Sequence, residues 1–319
     1  MNILVTGADG FIGRALVAQL LSVSQTQLGS AVSQVTLLDQ QFGNVPADPR
    51  VRTVVGDLAD RDVLNRATHS GVDMAKPNLV FHLASIPGGL AERQVELGLR
   101  VNLEGTIGLL EAVRLQQRAP RFVFASTIGV YGVPLPDVVD ESTLPAPTLS
   151  YGAQKYIGEI LVSDYSRRGF IEGCALRLPG IVARPPQASG MLSAFLSDLI
   201  RQLSAGRQFT CPVAAEGMSW WMTRTCVVRN LLHAASMTTA QLHQQRVWLL
   251  PVLHASMADI VAAIARVHGD QVLRNVRYEP NAALQAQFAN YPPLLCPRSV
   301  AAGFQHDGTL DRLVEQALE

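Results

Sequence analysis

Asn2-Ile3-Leu4-Val5-Thr6-Gly7-Ala8-Asp9-Gly10-Phe11-Ile12-Gly13 begins as an aliphatic, β-branched strand, turns on glycine and runs into Phe11–Leu21, whose apolar residues recur at three- and four-residue spacing. Strand, glycine-rich turn and helix in that order form the first βα unit of a parallel sheet. Gly7, Gly10 and Gly13 let the backbone approach a pyrophosphate closely. The first turn of the helix, at Phe11 and Ile12, presents free N–H groups to the same anion.

The same rhythm continues outward. Strands are expected at Asn2–Thr6, Val35–Leu38, Val51–Val55, Leu79–His82, Phe122–Ala125 and Cys174–Arg177, and helices at Phe11–Leu21, Gly89–Gln116 and Tyr151–Arg167. This predicts an α/β fold: a doubly wound Rossmann parallel sheet over residues 1–178, then a smaller C-terminal α/β substrate lobe over 179–319. In that lobe Met191–Ser204, Thr225–Met237 and Ser256–Val267 read as helices, and Val247–Leu250 is a short apolar run. Ser22–Gln34 and Val133–Pro147 read as loops, the second long enough to be functional.

Asp39 ends the second expected strand, where a carboxylate accepts hydrogen bonds from both adenosine ribose hydroxyls and repels a 2′-phosphate, which favours NAD over NADP. It lies 26 residues past Gly13, more than the usual ~20, and the polar Ser22–Gln34 stretch accounts for the excess. Asp57-Leu58, after the third strand, offers a carboxylate and an apolar contact to adenine.

At 319 residues, 48% hydrophobic and 16% charged, the chain has material for a large core in one or two domains. Its 26 basic side chains balance 26 acidic ones, so no net field draws in nucleic acid or an anionic membrane surface. Cys174, Cys211, Cys226 and Cys296 are widely separated, without the spacing of a disulfide framework or a metal site. No cationic leader precedes Ile3-Leu4-Val5, and no run of 18 apolar residues occurs; the expectation is a soluble cytoplasmic protein.

Lysine occurs only at Lys76 and Lys155, so a motif that needs one is informative. Tyr151 and Lys155 lie four apart in an expected helix and share one face. An ammonium beside a phenol favours the phenolate, lowering a pKa that is ordinarily about 10. Such a pair can act as general base on an alcohol.

Taken in order, Gly7-x-x-Gly10-x-x-Gly13, Asp39, Asp57-Leu58, His82-Leu83-Ala84-Ser85, Val101-Asn102, Ser126-Thr127, Val130-Tyr131-Gly132 and Tyr151-x-x-x-Lys155 make the chain resemble the extended short-chain dehydrogenase/reductase superfamily. That superfamily contains nucleotide-sugar epimerases and dehydratases, and the resemblance spans nearly the whole chain. It implies an NAD-dependent oxidoreductase acting on a CH–OH group. It also implies that Leu83, Ala84, Ser85, Ala125, Pro179 and Ile181 line the cofactor, that Asn102 supports the loops around it, and that Lys155 holds the nicotinamide ribose. Thr127, four residues before Tyr131, would orient the substrate hydroxyl beside Ser126 and Tyr151. A homodimer through the helices at Gly89–Gln116 and Tyr151–Arg167 is implied as well.

In nucleotide-sugar enzymes of this superfamily an asparagine follows the arginine of the last Rossmann strand by three positions; here that place is Gly180. Thr127-Ile128-Gly129 lacks the acid/base pair of the dehydratases. Arg177-Leu178-Pro179-Gly180-Ile181-Val182-Ala183-Arg184-Pro185, Ser193–Arg201 and Cys211-Pro212-Val213 instead resemble the D-erythronate dehydrogenase branch. That implies NAD-linked oxidation of a small sugar acid at C2. Either Arg184 or Arg224 could clamp its carboxylate, and Trp220 and Trp221 are candidate pocket walls. The alternative is a nucleotide-sugar 4-epimerase that holds NAD tightly.

Overall fold

The structure is a computed structural model that describes residues 1–22, 28–69, 76–186 and 192–319. In chain order its strands are β1 (Asn2–Thr6), β2 (Gln34–Asp39), β3 (Val51–Val55), β4 (Leu79–His82), β5 (Arg121–Thr127), β6 (Val139–Asp140), β7 (Glu172–Leu178), β8 (Gly180–Val182), β9 (Phe209–Cys211), β10 (Met218–Thr223), β11 (Val247–Leu249), β12 (Leu253–Ser256), β13 (Val276–Tyr278) and β14 (Leu294–Leu295). The main sheet has the order β3-β2-β1-β4-β5-β7-β11, and every pair in it is parallel. The order reverses between β1 and β4, which opens a crevice at their C-terminal ends.

Side-chain alternation along the strands feeds two cores. Ile3 and Val5 of β1 join Leu16, Val17 and Leu20 of the helix Phe11–Ser22 on one face. Leu4, between them, joins Val63 and Leu64 of the helix Arg61–Thr68, with Leu109 and Val113 of Gly105–Arg114, on the other. The helix Arg61–Thr68 has only two turns, too short for a periodic signal; Asp60 caps it by accepting from the Asp62 and Val63 N–H groups. The single helix expected over Gly89–Gln116 is divided into Gly88–Arg93, Val95–Gly98, a π-helical turn at Leu99–Glu104 and Gly105–Arg114.

The chain leaves the main sheet after β7 and later returns to it. Val247–Leu249, expected in the second lobe, is β11 and extends the main sheet beyond β7. The helix Arg224–Ser236 packs its Cys226, Val227 and Leu231 into the core under Phe11–Ser22. A three-residue strand carries no periodicity, and only its partner decides where it belongs.

The remaining C-terminal residues form the β12-β10-β8 sheet and the helices Ala194–Ser204, Met257–His268 and Leu310–Ala317 around a core of Leu199, Trp221, Ile260, Ile264 and Leu313. Met191 and residues 23–27 of the expected Ser22–Gln34 loop lie outside the described residues. Val133–Pro147 contains β6, which pairs with β14, and its Glu141 accepts from the Arg298 and Ser299 N–H groups. All four cysteines are buried and free. Among the described residues no helix is long and apolar enough to cross a membrane.

The helix Ser150–Arg167 lies close on the main sheet because Gly158 faces Phe124; a Cβ there would stand 2.6 Å from the ring. One residue further, Glu159 meets Arg177 of β7 at 2.7 Å, with side chains only 2% and 10% exposed. Arg177 also donates to the Tyr131 phenol at 2.9 Å, and Ser126 of β5 donates to Glu159. Burial opposes the Arg177 charge, but the Glu159 carboxylate outweighs it and raises the guanidinium pKa. Replacing Glu159 by alanine strands that charge and should cost about 3–5 kcal/mol. The double replacement Glu159→Met with Arg177→Met should recover most of the loss, as denaturant midpoints of the two variants would report.

Candidate active site

A cavity of about 960 Å³ opens at the C-terminal ends of β1, β4, β5 and β7. The glycine turn forms its floor. Gly7 has φ +67°, and a Cβ on it would lie 2.7 Å from the Ala84 nitrogen; a Cβ on Gly13 would lie 2.1 Å from the Gly7 carbonyl oxygen. Only glycine allows the turn, the helix behind it and the Leu83–Ser85 segment to come so close. Gly10, Phe11 and Ile12 face the cavity, where the first-turn N–H groups lack helical partners. Asp39 accepts from Asp9 N at 2.9 Å and Gln40 N at 2.8 Å, which orients its carboxylate at the cavity edge with lone pairs to spare for two ribose hydroxyls. Asp9 is paired with Arg14 at 2.9 Å. The turn, its helix and Asp39 thus fit a dinucleotide.

Leu58, Leu83, Ala84, Ser85, Ala125, Pro179 and Ile181 also line this cavity. Asp57 and Asn102 do not. Asp57 accepts from Arg100 Nε at 2.7 Å and Ala59 N at 2.8 Å. Asn102 is buried, accepts from Ile86 N at 2.7 Å and donates to Gln154 at 2.7 Å, so it braces the loop after β4 from behind. His82 is likewise a packed residue, held between the Thr6 and Thr106 hydroxyls, and its pKa is lowered by burial and by the charge of Lys155.

Thr127, Tyr151 and Lys155 meet in one wall. Thr127 ends β5, and its Oγ1 accepts from Gly129 N at 3.0 Å, which caps the turn Ile128–Tyr131 and leaves the hydroxyl proton to donate. The Ser126 hydroxyl is spent on Glu159. Lys155 is fully buried, with Nζ 5.8 Å from the Tyr151 ring centroid, and donates to the Ala125 carbonyl at 2.9 Å. Burial pulls its pKa down to about 7. Tyr151 departs from the expectation of a lowered phenol: burial raises its pKa, opposed first by a hydrogen bond with Ser85 and then by the charge of Arg184.

The two arginines left open by the sequence separate here. Arg184 lines the cavity; its Nε is buried without a hydrogen-bond partner among the described residues, and burial lowers its pKa. Arg224 is not in the cavity wall. Its guanidinium stands 5.0 Å from the Phe11 ring centroid, against 5.4 Å for Arg184. Trp220 and Trp221 are packing residues rather than cavity walls, buried with their indole N–H groups on the carbonyls of Pro292 and Ala255. A Cβ at Gly180 would come within 3.1 Å of the Trp220 carbonyl oxygen, a tight contact that a side chain there could make only if β10 gave way slightly. The wall also includes Asp198, Ser219 and Tyr291, which sequence reasoning did not single out. They come from the C-terminal lobe and belong to no spaced motif.

Comparison with known proteins gives the same outline. Residues 3–242 match the model of the NAD dependent epimerase/dehydratase family. D-erythronate dehydrogenase of Cupriavidus necator is 38% identical over all of this chain and 98% of its own length. The enzyme of that name from Haemophilus influenzae is 29% identical over all of this chain and 99% of its own. A crystal structure from Agrobacterium tumefaciens, described as a nucleoside-diphosphate-sugar epimerase, superposes with a TM-score of 0.89 at 32% identity, covering 98% of this chain and 92% of that one. With the glycine turn, Asp39 and the Thr127, Tyr151 and Lys155 cluster in one cavity, the chain belongs to the NAD dependent epimerase/dehydratase family.

Proposed function

We propose that the protein is an NAD-dependent dehydrogenase that oxidises the C2 hydroxyl of a small sugar acid, D-erythronate foremost, to the 2-oxo acid. The observation that carries this reading is Arg184. Its guanidinium lies in the same wall as Tyr151, burial opposes its charge, its Nε has no partner among the described residues, and a carboxylate next to the reacting carbon would give it a counter-charge. The full-length likeness to two D-erythronate dehydrogenases supports the choice of acid. Glycine at 180, in place of the asparagine of nucleotide-sugar enzymes, speaks against the 4-epimerase alternative.

NAD, bound along the glycine turn, supplies the hydride acceptor. Arg184 holds the carboxylate, Thr127 donates a hydrogen bond to the substrate oxygen, and Tyr151 removes the hydroxyl proton. Ser85 and Arg184 favour the Tyr151 phenolate against the effect of burial. Lys155 holds the cofactor ribose in this reading, and its buried ammonium gains from such a partner. Leu83, Ala84, Ala125, Pro179 and Ile181 shape the cofactor wall, with Asn102 and Asp57 fixing the loops behind it.

A homodimer and a cytoplasmic place in carbohydrate metabolism complete this reading. Val95, Leu99 and Ile107 on one run of helices, and Ile157 and Ile160 on Ser150–Arg167, are exposed large apolar residues on the two elements expected to pair.

The first test is NADH absorbance with NAD and D-erythronate: net NADH is expected, whereas turnover of a nucleotide sugar without net NADH would favour the epimerase. Tyr151→Phe should keep NAD binding and lose about 10²-fold or more in kcat, and unchanged turnover would refute the assignment. Folded Lys155 gives up its proton near pH 7, but unfolded Lys155 keeps it to about 10.5, so its burial costs most below pH 7 and least near pH 10. Accordingly, Lys155→Met should raise the Tm of the cofactor-free protein most at pH 6, with the difference narrowing by pH 9.5. Sedimentation at micromolar concentration should give a dimer, shifted toward monomer by Ile160→Glu.

A further inference from the structure

The wall that the C-terminal lobe adds to the cavity contains a hydroxyl with nothing to bind. Ser219 of β10 is 1% exposed, lines the cavity, and has no hydrogen-bond partner for Oγ among the described residues. A buried hydroxyl left unpaired weakens a protein, and alanine would fill the same space without that cost. Its neighbours on the strand do not share the problem: Trp220 on one side reaches the Pro292 carbonyl, and the Met218 carbonyl on the other accepts from Tyr291 N. Tyr291 belongs to the same wall. Its ring lies 4.7 Å from that of Trp220, and its carbonyl accepts from His254 at 2.7 Å, so its backbone is held at both N–H and C=O. Burial raises the Tyr291 pKa, which keeps the phenol protonated and able to donate.

A serine hydroxyl both donates and accepts, and a protonated phenol donates. Each suits a ligand hydroxyl, which also does both, better than a methyl group. Resting on the acid-dehydrogenase reading above, we infer that Ser219, with Tyr291, binds a hydroxyl of the substrate beyond the reacting carbon and so determines specificity for a polyhydroxy acid over a plain 2-hydroxy acid. Arg184 takes the acid head, Thr127 and Tyr151 take the reacting hydroxyl, and Ser219 with Tyr291 reads the tail. A site built to hydrogen-bond a substrate hydroxyl discriminates strongly against the analogue that lacks it, because its own polar groups are then left unpaired.

The test compares D-erythronate with 2-hydroxybutanoate of the same C2 configuration, which lacks both distal hydroxyls, in wild type, Ser219→Ala and Tyr291→Phe. Wild type should prefer erythronate by about 10²-fold or more in kcat/KM. Ser219→Ala should lose about tenfold or more on erythronate, mainly through KM, and less than about threefold on 2-hydroxybutanoate, which narrows the preference. Tyr291→Phe should narrow it in the same direction. The Tm of the ligand-free Ser219→Ala protein should be equal to or higher than that of wild type, which separates recognition from a structural role. Equal losses on both acids, an unchanged preference or a lowered Tm would overturn the inference while leaving the dehydrogenase reading in place. Failure of every acid to yield NADH with wild type, alongside turnover of a nucleotide sugar, would overturn both.

Discussion

The buried pair of Glu159 and Arg177 is the constraint on which the geometry of the site depends. It joins the helix that carries Tyr151 and Lys155 to the strand that leads into Pro179 and Ile181, and through Ser126 and Tyr131 it reaches the end of β5 beside Thr127. Two desolvated charges are a poor source of net stability compared with an apolar pair of the same shape. Their directional hydrogen bonds fix the register between helix and sheet, which dispersion between alkyl groups would leave looser. Gly158, next to Glu159, lets the two layers approach closely enough for that pair to form.

Two cationic side chains near the same cavity meet the cost of desolvation in different ways. Lys155 can shed its proton, and burial brings its pKa down to about 7. Arg184 has no such escape at ordinary pH, so its guanidinium, whose Nε has no partner among the described residues, keeps its charge where burial opposes it. The same charge acts on Tyr151, so an anion bound at Arg184 would alter the ionisation of that phenol through one side chain.

Features confined to one local element could be read from the sequence. The glycine turn, Asp39 at a strand end and the Tyr151 to Lys155 spacing each depend on a few neighbouring residues, and all of them line one cavity. Roles that depend on distant partners were harder to place. Asp57 is turned by Arg100, Asn102 by Ile86 and Gln154, and Arg224 stands over the Phe11 ring; none of these pairings has a sequence signature. β11 is three residues whose identity as a strand comes from β7, while Ser219 and Tyr291 gain meaning only once the C-terminal lobe folds over the cleft.

The return of the chain to supply β11 has a consequence for how the protein is made. Until residue 249 has emerged during synthesis, the growing chain displays β7 as an open edge whose N–H and C=O groups along Cys174–Arg177 have no outer neighbour, the kind of template that invites pairing with another nascent chain. The helix Arg224–Ser236, which covers apolar residues under Phe11–Ser22, arrives equally late. The half of the fold that carries the glycine turn is therefore not a module that can be cut out and transplanted, because its last strand and one of its covering helices are encoded downstream of β8, β9 and β10.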